Sequence, residues 1–436
     1  MKKKVSLLLS VMMILTFTLS ACGSSASTKD SGSSGPVKLV FSWWGNQVRN
    51  ERTQQVLDMY SKDNSNVTFD GQFSEYTDYW NKMATLAAGK ALPDIIQMDY
   101  SKIQEYVDNG LLMDLTSYVD KKIIDTSDCD QKVVAAGKIN DGLYGICNGV
   151  TAPALLYNKT LLDKYGIKVK DNMTMTEFIA LSKEIKGKTG YKTNISYGTD
   201  QYLEYYLRGD SVTLFENKKL GGTQADYIKF FNLYDNGLKE GWHINSSVFA
   251  ELTIGSVEQD PMVYGTNPDN MSWCAFLYSN MYTAYAKAAP QGTEIGISTL
   301  PADAPIKADY VKPSQFFAIS STCKNPEEAA KVINYLTNSI DCNKVLLGER
   351  GIPISKKVTE AIAPLLDAGN QKAITFINDV VTPNSSVINP PQPSTANQVY
   401  DLVKRLKEQV CYGKLSGNDA GKQLFEEGNK IMASGN

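Results

Sequence analysis

Histidine is almost absent: His243 is the one example in 436 residues, and no cysteine forms a C-x-x-C pair or neighbours it. That scarcity argues against His-based catalytic triads, multi-histidine metal sites and a zinc site, so neither a metal nor a cofactor is expected. Past residue 22 there is no apolar stretch long enough to cross a membrane. Long runs of one charge are missing too. Setting aside the three lysines at the start leaves 41 basic against 47 acidic side chains, a net charge of −6, which argues against nucleic acid as a partner. Asp125, Asp128 and Asp130 lack the alternate-residue spacing and glycine of a calcium loop and read as a solvated acidic turn. There is no internal repeat, and no spacing of carboxylates picks out the acid and nucleophile of a glycosidase.

What is present begins at the first residue. Lys2, Lys3 and Lys4 precede an apolar run from Val5 to Leu19, which ends in Leu19-Ser20-Ala21-Cys22. The run is too short and too rich in Ser and Thr for a stable spanning helix. It resembles a bacterial lipoprotein signal (residues 1–21), which implies cleavage before Cys22 and lipidation of its thiol. Residues 22–36 then form the lipidated cysteine and a Ser/Gly tether with no apolar side chain larger than alanine before Gly35, a coil spanning roughly 20 Å. The resulting expectation is an extracytoplasmic protein anchored to the cell membrane. Six further cysteines, Cys129, Cys147, Cys274, Cys323, Cys342 and Cys411, allow fifteen full pairings, and spacing leaves their redox state open. Tyrosine and tryptophan are abundant, with 24 and 5; each joins a flat apolar face to a polar tip, which suits hydroxyl-rich ligands as well as cores.

The body reads as β-α alternation. Val37 to Trp44 is a nearly continuous strand of the kind buried on both faces. A helix carrying Val56, Met59 and Tyr60 follows, then one around Trp80 and Met83 that stops at Gly89, then the strand Asp94 to Met98. Ser101 with Gln104, and Thr174 with Glu177, have capping-box spacing. Asn325-Pro326-Glu327-Glu328 is a helix start with proline at N1, and Val399, Leu402, Val403, Leu406 and Val410 form an amphipathic stripe. The Pro-rich segment 389–393 reads as a loop between helices. A parallel α/β lobe is expected, with ligands at the carboxyl ends of its strands.

Four segments in order then resemble one family. They are Trp43-Trp44-Gly45; Tyr79-Trp80-Asn81-Lys82-Met83 through Ala87-Ala88-Gly89-Lys90 to Pro93-Asp94-Ile95; Asp141 to Ile146 through Leu156-Tyr157-Asn158-Lys159 to Tyr165-Gly166-Ile167; and Lys312-Pro313-Ser314 through Asn325-Pro326-Glu327-Glu328 to Glu349-Arg350-Gly351-Ile352-Pro353. Over the whole body the chain resembles the extracellular solute-binding proteins of ABC importers, in the carbohydrate-binding, maltose-binding-protein-like group. The resemblance implies an α/β, two-lobed periplasmic-binding-protein-like (type II) fold with a hinged ligand cleft. Lobe one would be about 37–150 plus 310–350 and lobe two about 155–305 plus 355–436, with crossings near 149–153 and 307–313. Gly149, Pro153 and Pro313 stand where hinge residues belong. Cys147 departs from the family, where proline is frequent.

A sugar needs aromatic platforms and groups that bind hydroxyls in pairs. Trp43, Trp44, Asn46 and Arg49 sit at the mouth of the first strand; alternation turns one Trp to a helix and the other to the cleft, and the strand-end position favours Trp44 as the platform. Asp99 and Tyr100 end the next strand, and Asn148 and Thr151 flank the first crossing. The stretch from Trp273 to Asn280 resembles the family's cleft-lining segment, which makes Trp273 a second platform; Tyr202, Trp242 and Phe316 are further aromatic candidates. Arg350 reads as a partner in a structural salt bridge. The function expected is capture of a mono- or oligosaccharide by lobe closure and delivery to ABC permease subunits, by a monomer with no catalytic activity. The alternatives are a binder of a peptide or polyamine, a ligand-sensing subunit and a surface glycosidase.

Overall fold

The apolar run at Val37–Trp44 becomes strand β1, and the chain continues through α1 (Gln47–Asp63), β2 (Val67–Ser74), α2 (Tyr76–Ala88), β3 (Ile95–Met98) and α3 (Ile103–Asp108). Strands β4 (Ile146–Thr151) and β5 (Pro153–Asn158) come next, then helices α4 (Met175–Thr189), α5 (Tyr202–Gly209) and α6 (Gln224–Lys239). After β6 (Cys274–Tyr278), β7 (Ile295–Ser298) and β8 (Lys312–Ile319) come α7 (Pro326–Asn338), α8 (Ala396–Cys411) and α9 (Gly417–Ser434), with shorter elements between. The computed structural model describes residues 35–45, 47–195, 202–249, 257–264, 270–393 and 395–434. Cys22 and Asn46 therefore lie outside the described residues.

The first sheet has the order β2-β1-β3-β8-β4. β1 runs parallel to β2 and β3, whereas β8 is antiparallel to both β3 and β4. The expected parallel lobe is thus a mixed sheet. A strand that arrives from the other sheet needs no helical crossover, so it is free to enter antiparallel. The second sheet is antiparallel, in the order β6-β5-β7.

A single residue, Ala152, separates β4 from β5, so the chain leaves one sheet and enters the other almost without a loop. Beside this passage, Val150 exchanges both backbone hydrogen bonds with Ile352, at 2.8 and 3.1 Å. Gly149 is required there: a Cβ would lie 2.5 Å from the Arg350 carbonyl oxygen. Gly351 has φ +107°, in the region that favours glycine.

Two apolar cores follow the sheets. The first joins Leu39, Phe41 and Ile96 to Ala154 and Leu156 of β5, and takes in Phe376 and Ile377. The second packs Leu155 and Phe276 against Phe178, Phe230 and Val403. Because alternate β5 residues serve different cores, the apolar interior crosses the boundary between sheets. The six cysteines beyond Cys22 are buried and unpaired.

Helix starts are mixed. Thr174 and Glu177 form a complete capping box at α4, and Gly190 ends that helix in the left-handed conformation. Ser101 and Gln104 do not cap α3, because Asp99 takes both the Ser101 amide (2.8 Å) and its hydroxyl (2.7 Å) and so closes a turn before the helix. Pro326 opens α7, although the Asn325 side chain makes no cap bond.

Candidate ligand-binding cleft

The carboxyl ends of β1 and β3 open on a cavity of about 690 Å³. Trp43 points inward, fully buried, with its indole N–H donating to Asn50 at 2.9 Å. Alternation then turns Trp44 outward, where it lines the cavity. Its ring meets Tyr76 edge-on at 5.4 Å and lies 5.7 Å from Trp80, so the platform is held by other aromatics. Arg49, on the first turn of α1, donates to the Glu349 carboxylate at 2.5 Å and to the Trp44 carbonyl at 3.1 Å. This clamp joins the end of the first strand to the loop after residue 346.

Asp99 and Thr151 line the same cavity, and Asn280 faces them. Thr151 Oγ1 lies 3.0 Å from Ser279 Oγ and donates to Asn280 Oδ1 at 3.2 Å. Arg350 is deeper. It donates to Gln97 (2.8 Å) and Thr53 (2.7 Å), and its guanidinium lies 5.8 Å from the Phe317 ring. Burial, with Arg49 adjacent, pushes its pKa down to about 9. The salt bridge expected of Arg350 belongs to Arg49 instead, because Arg350 is turned into the core where amide and hydroxyl groups meet it.

Asp99 also lines a second chamber of about 400 Å³, together with Tyr76, Tyr100, Glu204, Tyr278 and Lys312. Lys312 places its ammonium 5.2 Å from the Tyr278 ring centre. Burial lowers its pKa, while Asp99 and Glu204 act in the opposite sense. Tyr76 is 44% exposed; its phenol is held above the usual range by burial, then by the Asp99 charge. The Tyr100 hydroxyl donates to the Asn389 carbonyl, and its ring stacks on Phe316 at 6.0 Å. Glu204 accepts from Asn389 (2.9 Å), Gln392 (3.3 Å) and Tyr400 (3.1 Å). The Pro-rich loop is therefore a wall of this chamber and more than a connection.

The remaining candidates lie elsewhere. Trp273 is fully enclosed, its N–H donates to Thr193 at 2.8 Å, and Phe178 packs 5.9 Å away. Trp242 is buried with its N–H on Glu240 at 2.9 Å, and Tyr202 is buried with its hydroxyl on the Pro301 carbonyl at 2.9 Å. Phe316 lies beneath Tyr100 in the first core. An enclosed ring presents no face to a ligand, so these four are core residues. Asn148 lines neither chamber, and its enclosed amide makes no hydrogen bond among the described residues. Sequence reasoning did not single out Tyr76, Glu204 and Tyr278, which line the second chamber, and used Lys312 only to mark a motif. The one local signal was the position of Tyr278 and Lys312 beside residues already singled out.

Residues 55–365 match the family described as bacterial extracellular solute-binding protein. This chain belongs to that family. Among known solute-binding proteins, the arabinooligosaccharide-binding protein of Bacillus subtilis (strain 168) is 26% identical over 203 residues, 44% of this chain and 43% of that protein. The chain thus spans less than half the length of that curated relative. A family 1 extracellular solute-binding protein from Alicyclobacillus acidocaldarius superposes with a TM-score of 0.79 at 26% identity, covering 92% of this chain and all of the other. A periplasmic oligogalacturonide-binding protein from Yersinia enterocolitica gives 0.76 at 20% identity, covering 91% and 99%. The two-lobed solute-binding fold is shared over nearly the whole body.

Proposed function

We propose that this solute-binding protein captures a carbohydrate between its lobes and hands it to the membrane subunits of an ABC importer. The observation that carries this reading is the second chamber. There the aromatic faces of Tyr76 and Tyr278 stand beside Asp99, Glu204 and Lys312, so C–H faces and hydroxyls of one ring can be met together. Trp44 extends the aromatic wall into the first chamber. The uncharged arabinooligosaccharide named for the Bacillus subtilis relative agrees with this chemistry. The protein acts as a monomer, catalyses nothing, and is held at the membrane by lipid on Cys22.

A thermal-shift screen of the full chain against sugars, peptides, polyamines and metal ions tests the reading. At a hundredfold its Kd a ligand adds about 2.7 kcal/mol, which a melting curve resolves. The expected result is a rise confined to a few related glycans that are recovered unchanged. A rise with a peptide or polyamine alone, or sugar turnover, would overturn it. For the anchor, Cys22→Ala is expected to release the protein from membranes and abolish incorporation of labelled fatty acid.

A further inference from the structure

We propose that the cleft selects uncharged sugar chains of two or more rings and rejects chains built of uronic acids, because the walls of its middle chamber carry three carboxylates against a single described ammonium. The proposal rests on the carbohydrate reading above and adds charge and length to it. Three cavities share wall residues. The first chamber shares Asp99 with the second, and the second shares Glu204 with a third of about 220 Å³ that reaches the Pro-rich loop. The first chamber alone, at about 690 Å³, falls in the ~300–1,000 Å³ range of complete small-molecule sites. A single sugar ring would leave most of the first chamber to water, whereas a chain that continues from it into the second must pass Asp99.

The middle chamber decides charge. Asp99, Glu204 and Asp401 line it together with Lys312. Hydroxyls donate readily to such carboxylates in charge-assisted hydrogen bonds, and each carboxylate accepts several. A ligand carboxylate would instead meet three carboxylates and one ammonium, which lies over the Tyr278 ring and in the field of Asp99 and Glu204. Of the guanidinium groups on the first chamber, Arg49 is held by Glu349 and Arg350 by Gln97 and Thr53, while Arg52 gives one N–H to the Leu346 carbonyl at 3.0 Å. Lys287 is exposed at the edge of the first chamber, where water screens it. Residues 46, 196–201, 250–256, 265–269 and 394 include no Lys, Arg or His.

Isothermal titration of the full chain with trigalacturonate, its methyl ester, arabinotriose, galactotriose and maltotriose, and the corresponding monosaccharides, tests this. At least one uncharged trisaccharide is expected to bind about tenfold or more tighter than both its monosaccharide and trigalacturonate. The methyl ester, which removes charge without any change to the protein, is expected to bind more tightly than the free acid. In the double variant Glu204→Gln/Asp401→Asn, checked for folding by its melting curve, trigalacturonate should gain on the uncharged ligands by about tenfold. Trigalacturonate binding as tightly as every uncharged chain would overturn the charge selection, and a monosaccharide matching its trimer would overturn the length. If no sugar binds, charged or uncharged, the carbohydrate reading itself fails, a result distinct from both.

Discussion

Trp44 and Trp273 show how one side chain serves two ends. Trp44 stands at a strand end with part of its ring on the cavity, whereas Trp273 is fully enclosed and satisfied by Thr193. Trp44→Ala is therefore expected to weaken sugar binding by more than about tenfold, as anchor tryptophans do, with a smaller loss of stability. Trp273→Ala should instead cost about 3–5 kcal/mol of stability by leaving a cavity in the second core. Urea denaturation beside ligand titration separates the two. A Trp273→Ala protein of near-native stability and lost binding would reverse these assignments. The clamp between Arg49 and Glu349 is also a residue-scale feature, for it aligns the Trp44 carbonyl and the 347–353 loop around one guanidinium.

At the scale of elements, the strand passages set how the cleft is built. Gly149 lies where the Arg350 carbonyl comes within 2.5 Å of an added Cβ, and neither backbone can yield without breaking the paired bonds of Val150 and Ile352. Gly149→Ala is expected to destabilise the protein by about 1–3 kcal/mol through overpacking, read as a lower urea midpoint. An unchanged midpoint would mean that the passage is free to spread. Sequence made the local features legible, since the Thr174 capping box and the proline at the start of α7 depend on residues a few positions apart. The antiparallel insertion of β8 was not legible, because Phe316 pairs with Met98 more than 200 residues away. Nor was the middle chamber, whose Tyr76, Glu204, Tyr278 and Lys312 come from four distant segments. Periodicity could place Glu204 on a helix but not say that the helix faces Lys312. Strand alternation likewise told Trp43 from Trp44, whereas Trp273 precedes a strand covered on both faces and offered no polar side to orient it.

At the scale of the whole molecule, two buried groups shape stability with pH in opposite senses. His243 is enclosed; Nε2 accepts from the Ile195 amide at 3.2 Å, which leaves the Nδ1 proton for the Ile244 carbonyl at 2.9 Å. Burial pushes its pKa from 6.5 down to about 4. The unfolded chain thus binds the extra proton between those values, and stability is lost as the pH falls through that window. Asp309, just before β8, is also enclosed. One oxygen accepts from the Tyr310 amide, and the other makes no hydrogen bond among the described residues. Burial raises its pKa from 3.8 to about 8, against the opposing pull of that amide and of Arg208. Here the folded state holds the proton, so stability declines as the pH rises from about 4 to about 8. From pH 4 to 6.5 the two groups offset each other, and above 6.5 the decline from Asp309 stands alone. Asp309→Asn mimics the neutral acid and removes this decline. The difference in urea midpoint, variant minus parent, should therefore grow from pH 5 through 6.5 to 8 and then level off. A difference independent of pH would show that Asp309 ionises normally in the folded protein.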